Sequence, residues 1–362
     1  MHIPDGYLSP ATCTALYASS APFWYVALQR VKKTLHTRLV PLLSLFAAFS
    51  FVIMMFNLPL PGGTTGHAVG IGLAAVVLGP WAAMLAVSVA IVIQALFFGD
   101  GGITAIGANC FNMAIVGALV SYAVYRLLAG RSAILSFRRV VAAGLAGYVA
   151  INISALLAAI EFGIQPFLFR DATGAPLYCP YPLSVAIPAM MLGHLTIAGI
   201  AELIVSAGVV AFLQKSDPSL LKSTAGRGVL LTGSADLAGA RSLRPLWLGL
   251  CMLMILTPLG ILAAGSAWGE WMAADYSNPA VRQQIAHSSF QHPAPVQAPE
   301  GLARLSSVWT APFVRYAPPY VTSAAFGYLL SAMFGAGLVL LATLAVGRFL
   351  RAQSYDSEER AA

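Results

Sequence analysis

Met1 and His2 open the chain, and side by side they can chelate a metal. The free amine of Met1, the amide nitrogen of His2 once deprotonated, and the His2 imidazole Nδ1 close a five-membered and a six-membered ring on one ion. Three nitrogens then lie in a plane. A fourth nitrogen completes a square-planar set, the geometry that favours Ni(II) or Cu(II) and is accessible to Co(II). His67, within Pro61-Gly-Gly-Thr-Thr-Gly-His-Ala68, is the best candidate for that donor. The arrangement requires Met1 to be retained and deformylated, and a bulky second residue such as His protects it from removal. Pro4 and Gly6 fit a tight turn that folds the opening segment back into the protein. Asp5 is placed to orient an imidazole by hydrogen bonding. The opening is not a secretory signal, because it lacks a basic n-region, carries Asp5 and reaches no apolar stretch until residue 11.

Other polar residues fall inside apolar runs. Glu202 is the only carboxylate well within one, and Glu161 lies at the end of another. Intramembrane carboxylates are functional candidates by default, but a single one makes a poor proton relay. His194 stands eight residues before Glu202, about 12 Å along a helix, too far for direct pairing. Interhelical hydrogen bonding is the reading for both, with metal passage as the alternative. Asn109 and Asn112, three apart on a helix, can brace the N-terminal segment or the His67 imidazole, or glue neighbouring helices. No GxxxxGK phosphate cradle occurs, so this chain is not expected to hydrolyse ATP itself. The absence of an HExxH pair and of a serine nucleophile motif argues against the enzymatic rival, an intramembrane hydrolase using His194 or His67.

These residues must be positioned by membrane helices. Of 362 residues, 59% are apolar and 9% charged, against roughly 25% charged in a soluble domain. Apolar runs fall near 12–29, 39–58, 80–98, 103–125, 140–161, 183–213, 246–266 and 321–347, with a shorter one at 68–79. Gly79-Pro80 breaks what would otherwise be a single helix over 68–98, about 46 Å long and too long for one crossing. Counting 68–79 as a crossing, with the N-terminus outside, puts the basic clusters Arg30 to Arg38, Arg126 to Arg139 and Lys215 to Arg244 on the cytoplasmic side with the tail. Omitting it would export the Arg126 cluster. The short run spans only about 18 Å, so its helix should begin within the Gly-rich stretch and place His67 below the membrane surface. The charge of +7 thus follows topology, and no nucleic-acid partner is expected.

The expected fold is an all-α polytopic membrane protein: a bundle of about seven helices with an inserted N-terminal strand, plus a two-helix C-terminal unit. The metal-binding bundle covers 1–213 and a cytoplasmic linker 214–245. An accessory unit covers 246–347 with an outer loop at 267–320, and a cytoplasmic tail runs over 348–362.

The sequence resembles the metal-binding membrane subunit of energy-coupling factor transporters for cobalt and nickel, the CbiM/NikM type. The likeness rests on Met1-His2-Ile3-Pro4-Asp5-Gly6-Tyr7-Leu8, Gly62-Gly-Thr-Thr-Gly-His67, Gly99-Asp-Gly-Gly-Ile-Thr-Ala-Ile-Gly-Ala-Asn109-Cys-Phe-Asn112-Met113 and Gly193-His194-Leu-Thr-Ile-Ala-Gly-Ile-Ala-Glu202. It covers about residues 1–213. The resemblance implies metal ligation by Met1, His2 and His67, with Co2+ or Ni2+ as transported substrate. It also implies partnership with a CbiQ/NikQ-type membrane coupling subunit and two CbiO/NikO-type ATPases in a cell membrane. Thr257-Pro-Leu-Gly260 and Ala267-Trp-Gly-Glu-Trp271 resemble the two-span CbiN/NikN-like extension often fused to such subunits. A vitamin-binding subunit of the same transporter class, or an ion channel, is the remaining rival.

Overall fold

A computed structural model describes residues 1–34, 39–225, 243–263 and 265–359; His36, Arg38, linker residues 226–242 and tail residues 360–362 lie outside the described residues. The architecture is all-α and multi-pass. The helices α1 (Pro10–Thr34), α2 (Leu39–Met54), α3 (Ile71–Leu78), α4 (Pro80–Phe98), α5 (Ile106–Ala129), α6 (Phe137–Leu168) and α7 (Leu183–Ser216) pack as a bundle. Two more long helices, α8 (Arg244–Leu262) and, after the short α9 (Pro279–Ser288) and α10 (Glu300–Leu305), α11 (Ala324–Glu359), lie against α2. Among the described residues, six helices are long and apolar enough to cross a membrane: α4 to α8 and the first part of α11. Nine crossings were expected. α1 has 25 residues, yet its Ser, Thr and Tyr content keeps it below that hydropathy, while α2 and α3, at 16 and 8 residues, are too short.

The break between α3 and α4 falls at Gly79-Pro80. Gly79 has φ 77°, a conformation that favours glycine, and Pro80 opens α4 where its missing N–H is not needed. α3 begins at Ile71, later than expected, because the Gly-rich stretch forms a small hairpin instead of helix. β1 (Leu58–Leu60) and β2 (Thr64–Gly66) pair antiparallel, Leu58 opposite Gly66, and the turn between them uses Gly62 and Gly63 at positive φ. Eight residues of α3 rise about 12 Å, against about 48 Å for the 32 residues of α6. Val69 and Ile71 are fully buried whereas Leu78 and Gly79 are partly exposed, so the start of α3 lies deep in the bundle.

Such a helix exposes unpaired N–H groups in an apolar interior. Glu202, from α7, supplies the acceptors: Oε2 takes Val69 N at 2.8 Å and Gly70 N at 2.9 Å, and Oε1 takes Gly72 N at 3.0 Å. A carboxylate at this end also complements the helix dipole. At the other end of α3, the Thr224 and Ser223 hydroxyls donate to the Val76 and Val77 carbonyls, from a turn at Lys222–Ala225. That turn is tied to the bundle by the buried Arg139, which donates to the carbonyls of Ser132 and Ala225 and to the Tyr125 hydroxyl.

Replacing Glu202 by Ala strands three buried N–H groups. The expected cost is about 3 kcal/mol, read as a lower thermal midpoint of the detergent-purified chain, with E202Q falling between; an unchanged midpoint for E202A contradicts the capping role.

Candidate metal centre

The first nine residues run into the bundle and are held at nearly every step. Asn109 clamps Ile3, accepting its N–H on Oδ1 at 2.8 Å and donating from Nδ2 to its carbonyl at 3.1 Å, while Gly102 N donates to the same carbonyl at 2.8 Å. The Asp5 carboxylate accepts from Ile103 N, Thr104 N and the Thr104 hydroxyl. Gly6 turns at φ 86°, and a side chain there would strike the Leu302 backbone at 2.6 Å. The Tyr7 hydroxyl donates to the Trp271 carbonyl at 2.9 Å, Cys179 N donates to the Tyr7 carbonyl, and Ser9 N donates to Gln165 Oε1 at 3.0 Å. Met1 is 3% exposed and His2 fully buried.

This threading brings His2 to His67, ring centroids 5.2 Å apart and tilted by 56°. His67 Nδ1 lies 3.1 Å from the Ala68 carbonyl, a contact that fixes the proton on Nδ1 and leaves the Nε2 lone pair available. Both ring nitrogens of His2 are buried without a hydrogen-bond partner. Buried polar atoms are rarely left so, and a metal ligand is one reason for it. The two imidazoles lie outside the helices. Burial pushes His2 down to about 4, helped by the nearby terminal amine, and His67 down to about 3, helped by His2 and the same amine. Both are neutral near pH 7, the form that ligates.

Among the described residues, no three His, Cys, Asp or Glu side chains converge on one point. A metal here has to recruit main-chain nitrogen, which the amine of Met1 and the amide of His2 can provide. The amine donates to Glu270 Oε1 at 3.1 Å. Asp100 Oδ1 stands 3.6 Å from His2 Nδ1, and its Oδ2 accepts from the Tyr316 hydroxyl at 2.6 Å.

Met1, His2 and His67 are thus gathered at one place, and Asn109 braces them through Ile3. The remaining predicted residues are elsewhere. Asp5 was expected to orient an imidazole; instead it caps the turn at residues 103–104, and the carboxylate beside the His2 ring is Asp100. Asn112 parts from Asn109 because the helix widens into a π turn over Cys110–Val116; it donates to Glu161 Oε2 at 2.8 Å. His194 engages its own helix, Nδ1 lying 2.8 Å from the Met190 carbonyl, at a π turn whose Thr196 is non-helical. Glu202 caps α3 with bonds that begin at Val69, two residues beyond His67, and so fixes the loop. Asp100, Glu270 and Tyr316 were missed as site residues. Asp100 and Glu270 both stand in short Gly-containing stretches already singled out, and their meeting with residues 1 and 2 is a product of tertiary structure.

The family model described as the cobalt uptake substrate-specific transmembrane region, CbiM, matches residues 2–220. The chain belongs to the CbiM family. It is 57% identical over 340 residues to the fused nickel transport protein NikMN of Rhodobacter capsulatus, covering 94% of this chain and 95% of that protein. It is 42% identical to the probable fused nickel transport protein LarMN of Lactiplantibacillus plantarum, covering 94% and 96%. A crystal structure of a truncated transition metal transporter, 51% identical, superposes with TM-score 0.55 over 59% of this chain and 99% of that one. The match to fused relatives over nearly their full length makes this chain a CbiM/NikM-type subunit with a NikN-like C-terminal extension.

Asn109→Ala removes both side-chain bonds to Ile3 and should raise amide exchange at Ile3. Metal affinity should fall about 10- to 100-fold, the usual cost of losing a group that supports a ligand. Unchanged exchange at Ile3 would show that the clamp does not hold the segment.

Proposed function

We propose that the chain captures a divalent transition metal, Co2+ or Ni2+, as the substrate-binding membrane subunit of an ATP-driven energy-coupling factor transporter. Residues 1–213 form the binding bundle. A linker at 214–245 leads to the fused accessory unit at 246–347 with its loop at 267–320, and the tail over 348–362 ends in the cytoplasm. The N-terminus is outside, in keeping with the Lys and Arg distribution. The ATPases and the coupling subunit are separate chains, of CbiO/NikO and CbiQ/NikQ type, and this subunit performs no chemistry of its own.

The observation that carries the reading is the buried His2, neither of whose ring nitrogens makes a hydrogen bond, beside His67 and the amine of Met1. With Met1 kept as the terminal residue, its amine, the His2 amide and Nδ1, and His67 Nε2 make a planar four-nitrogen set. That geometry suits Ni(II) above Co(II), and the two fused relatives are both named as nickel transport proteins. Nickel is therefore the preferred substrate. Raw affinity favours Cu(II), so discrimination has to come from geometry and metal availability. A hydrolase or a channel finds no counterpart among these relatives.

One residue added before Met1 breaks the five-membered ring. Isothermal titration of the detergent-purified chain with Ni2+ should then show no stoichiometric binding, with expression and thermal midpoint retained; unchanged affinity contradicts the chelate. Binding displaces protons from the amine and amide. Affinity should fall as pH is lowered below neutrality, whereas a pH-independent affinity between 5 and 8 argues for ligands that carry no proton.

A further inference from the structure

The C-terminal unit reaches the donor set at two points, directly through Glu270 and by way of Asp100 through Tyr316, and neither is needed to connect its helices. The first is Glu270, 22% exposed at its side chain, which accepts from the Met1 amine at 3.1 Å. The neighbouring backbone is fixed: Ala267 bridges to Thr65 of β2, Trp268 donates to the Ser289 hydroxyl at 3.1 Å, and the Trp271 carbonyl takes the Tyr7 hydroxyl. The second is Tyr316, near the far end of the same loop. Its hydroxyl donates to Asp100 Oδ2 at 2.6 Å and accepts from Gln94 Nε2 at 3.0 Å. Arg315 and Tyr316 both hold positive φ, 54° and 60°, a backbone conformation that such side chains rarely adopt. The Tyr316 ring stacks on Phe98 at 4.9 Å, and its carbonyl is held by the Ser331 hydroxyl. With Oδ2 engaged, Asp100 turns Oδ1 toward the His2 ring, 3.6 Å from Nδ1.

We propose that Glu270 and Tyr316 are positioning residues for the metal donors, so that the fused unit sets the geometry of the nitrogen site. A primary amine that coordinates a metal keeps two N–H bonds. Glu270 holds one of them, which restricts rotation about the Met1 Cα–N bond and so the direction in which the lone pair points. Tyr316 acts through Asp100: by holding Oδ2 it fixes how closely Oδ1 approaches His2 Nδ1, the donor nitrogen. A dication bound through one deprotonated amide leaves net positive charge under the loop. The Glu270 and Asp100 carboxylates beside the donors oppose that charge where the medium screens weakly. Outer groups of this kind orient ligands and tune the metal they hold.

This inference rests on the Met1, His2 and His67 chelate, and H67A serves as the control that tests that reading by itself. The experiment is Ni2+ titration of the full chain in detergent, with the visible absorption spectrum of the loaded protein recorded alongside for wild type, E270A, E270Q, Y316F and H67A. In E270A affinity should fall at least about tenfold, and the band of planar four-nitrogen Ni(II) should shift or weaken. Gln keeps an oxygen acceptor in the same place, so E270Q should restore the band position and most of the affinity. Y316F should lower affinity by a smaller factor and shift the same band. Wild-type affinity and spectrum in both E270A and Y316F, with binding lost in H67A, overturn the positioning role and leave the chelate standing. Wild-type binding in H67A overturns the chelate itself. Weakened binding in E270A with an unshifted band and no rescue by Gln also overturns the proposal, because it marks a general loss of fold.

Discussion

A terminal amine and an unpartnered imidazole are among the groups that most favour water, and this chain buries both. The cost is tolerable only if the surrounding structure holds them in place and a ligand meets their lone pairs. Much of the molecule can be read as meeting that constraint. The Asn109 clamp, the Asp5 cap, the close approach of Gly6 to Leu302 and the Gln165 bond to Ser9 leave the opening segment little freedom. A loose N-terminus would pay the ordering cost at each binding event; a pinned one has met it on folding.

The second constraint concerns His67. It follows the β1–β2 hairpin and precedes α3, and its position is set by whatever sets the start of α3. Glu202 does that from α7 with three charge-assisted hydrogen bonds, while Ser223 and Thr224 close the far end of the same helix. His67 therefore stands about one eight-residue helix away from a turn that Arg139 anchors at the opposite end of the bundle. Both ends of α3 are held by α7 and the turn that follows it, so a shift of α7 is transmitted to the His67 loop through hydrogen bonds as well as packing.

How much of this was legible depends on range. The multi-pass all-α architecture follows from apolar runs of helix length, and the break at Gly79-Pro80 from two residues with known backbone demands. Glu202 stood out because a lone carboxylate in an apolar run must have partners, but the partners, backbone N–H groups of residues 69, 70 and 72, could not be named without the fold. Asn109 and Asn112 were read as sharing a face, which assumes a regular α-helix; the π turn after Asn109 sends them to different neighbours. The role expected of Asp5 falls nearer to Asp100, because a carboxylate three residues from His2 is drawn to the N–H groups of the 103–104 turn while Asp100 faces the His2 ring. Glu270 is 269 residues from the amine it meets. No local pattern carries that pairing, and only the folding of the C-terminal loop over the bundle creates it.

The central claim is that main-chain and imidazole nitrogen from Met1, His2 and His67 form one planar set. Nickel K-edge X-ray absorption on the stoichiometrically loaded full chain tests it most directly. The account predicts a four-coordinate shell of nitrogen with the pre-edge feature of planar Ni(II) and outer scattering from two imidazoles. A six-coordinate shell rich in oxygen, or scattering from a single imidazole, would contradict it.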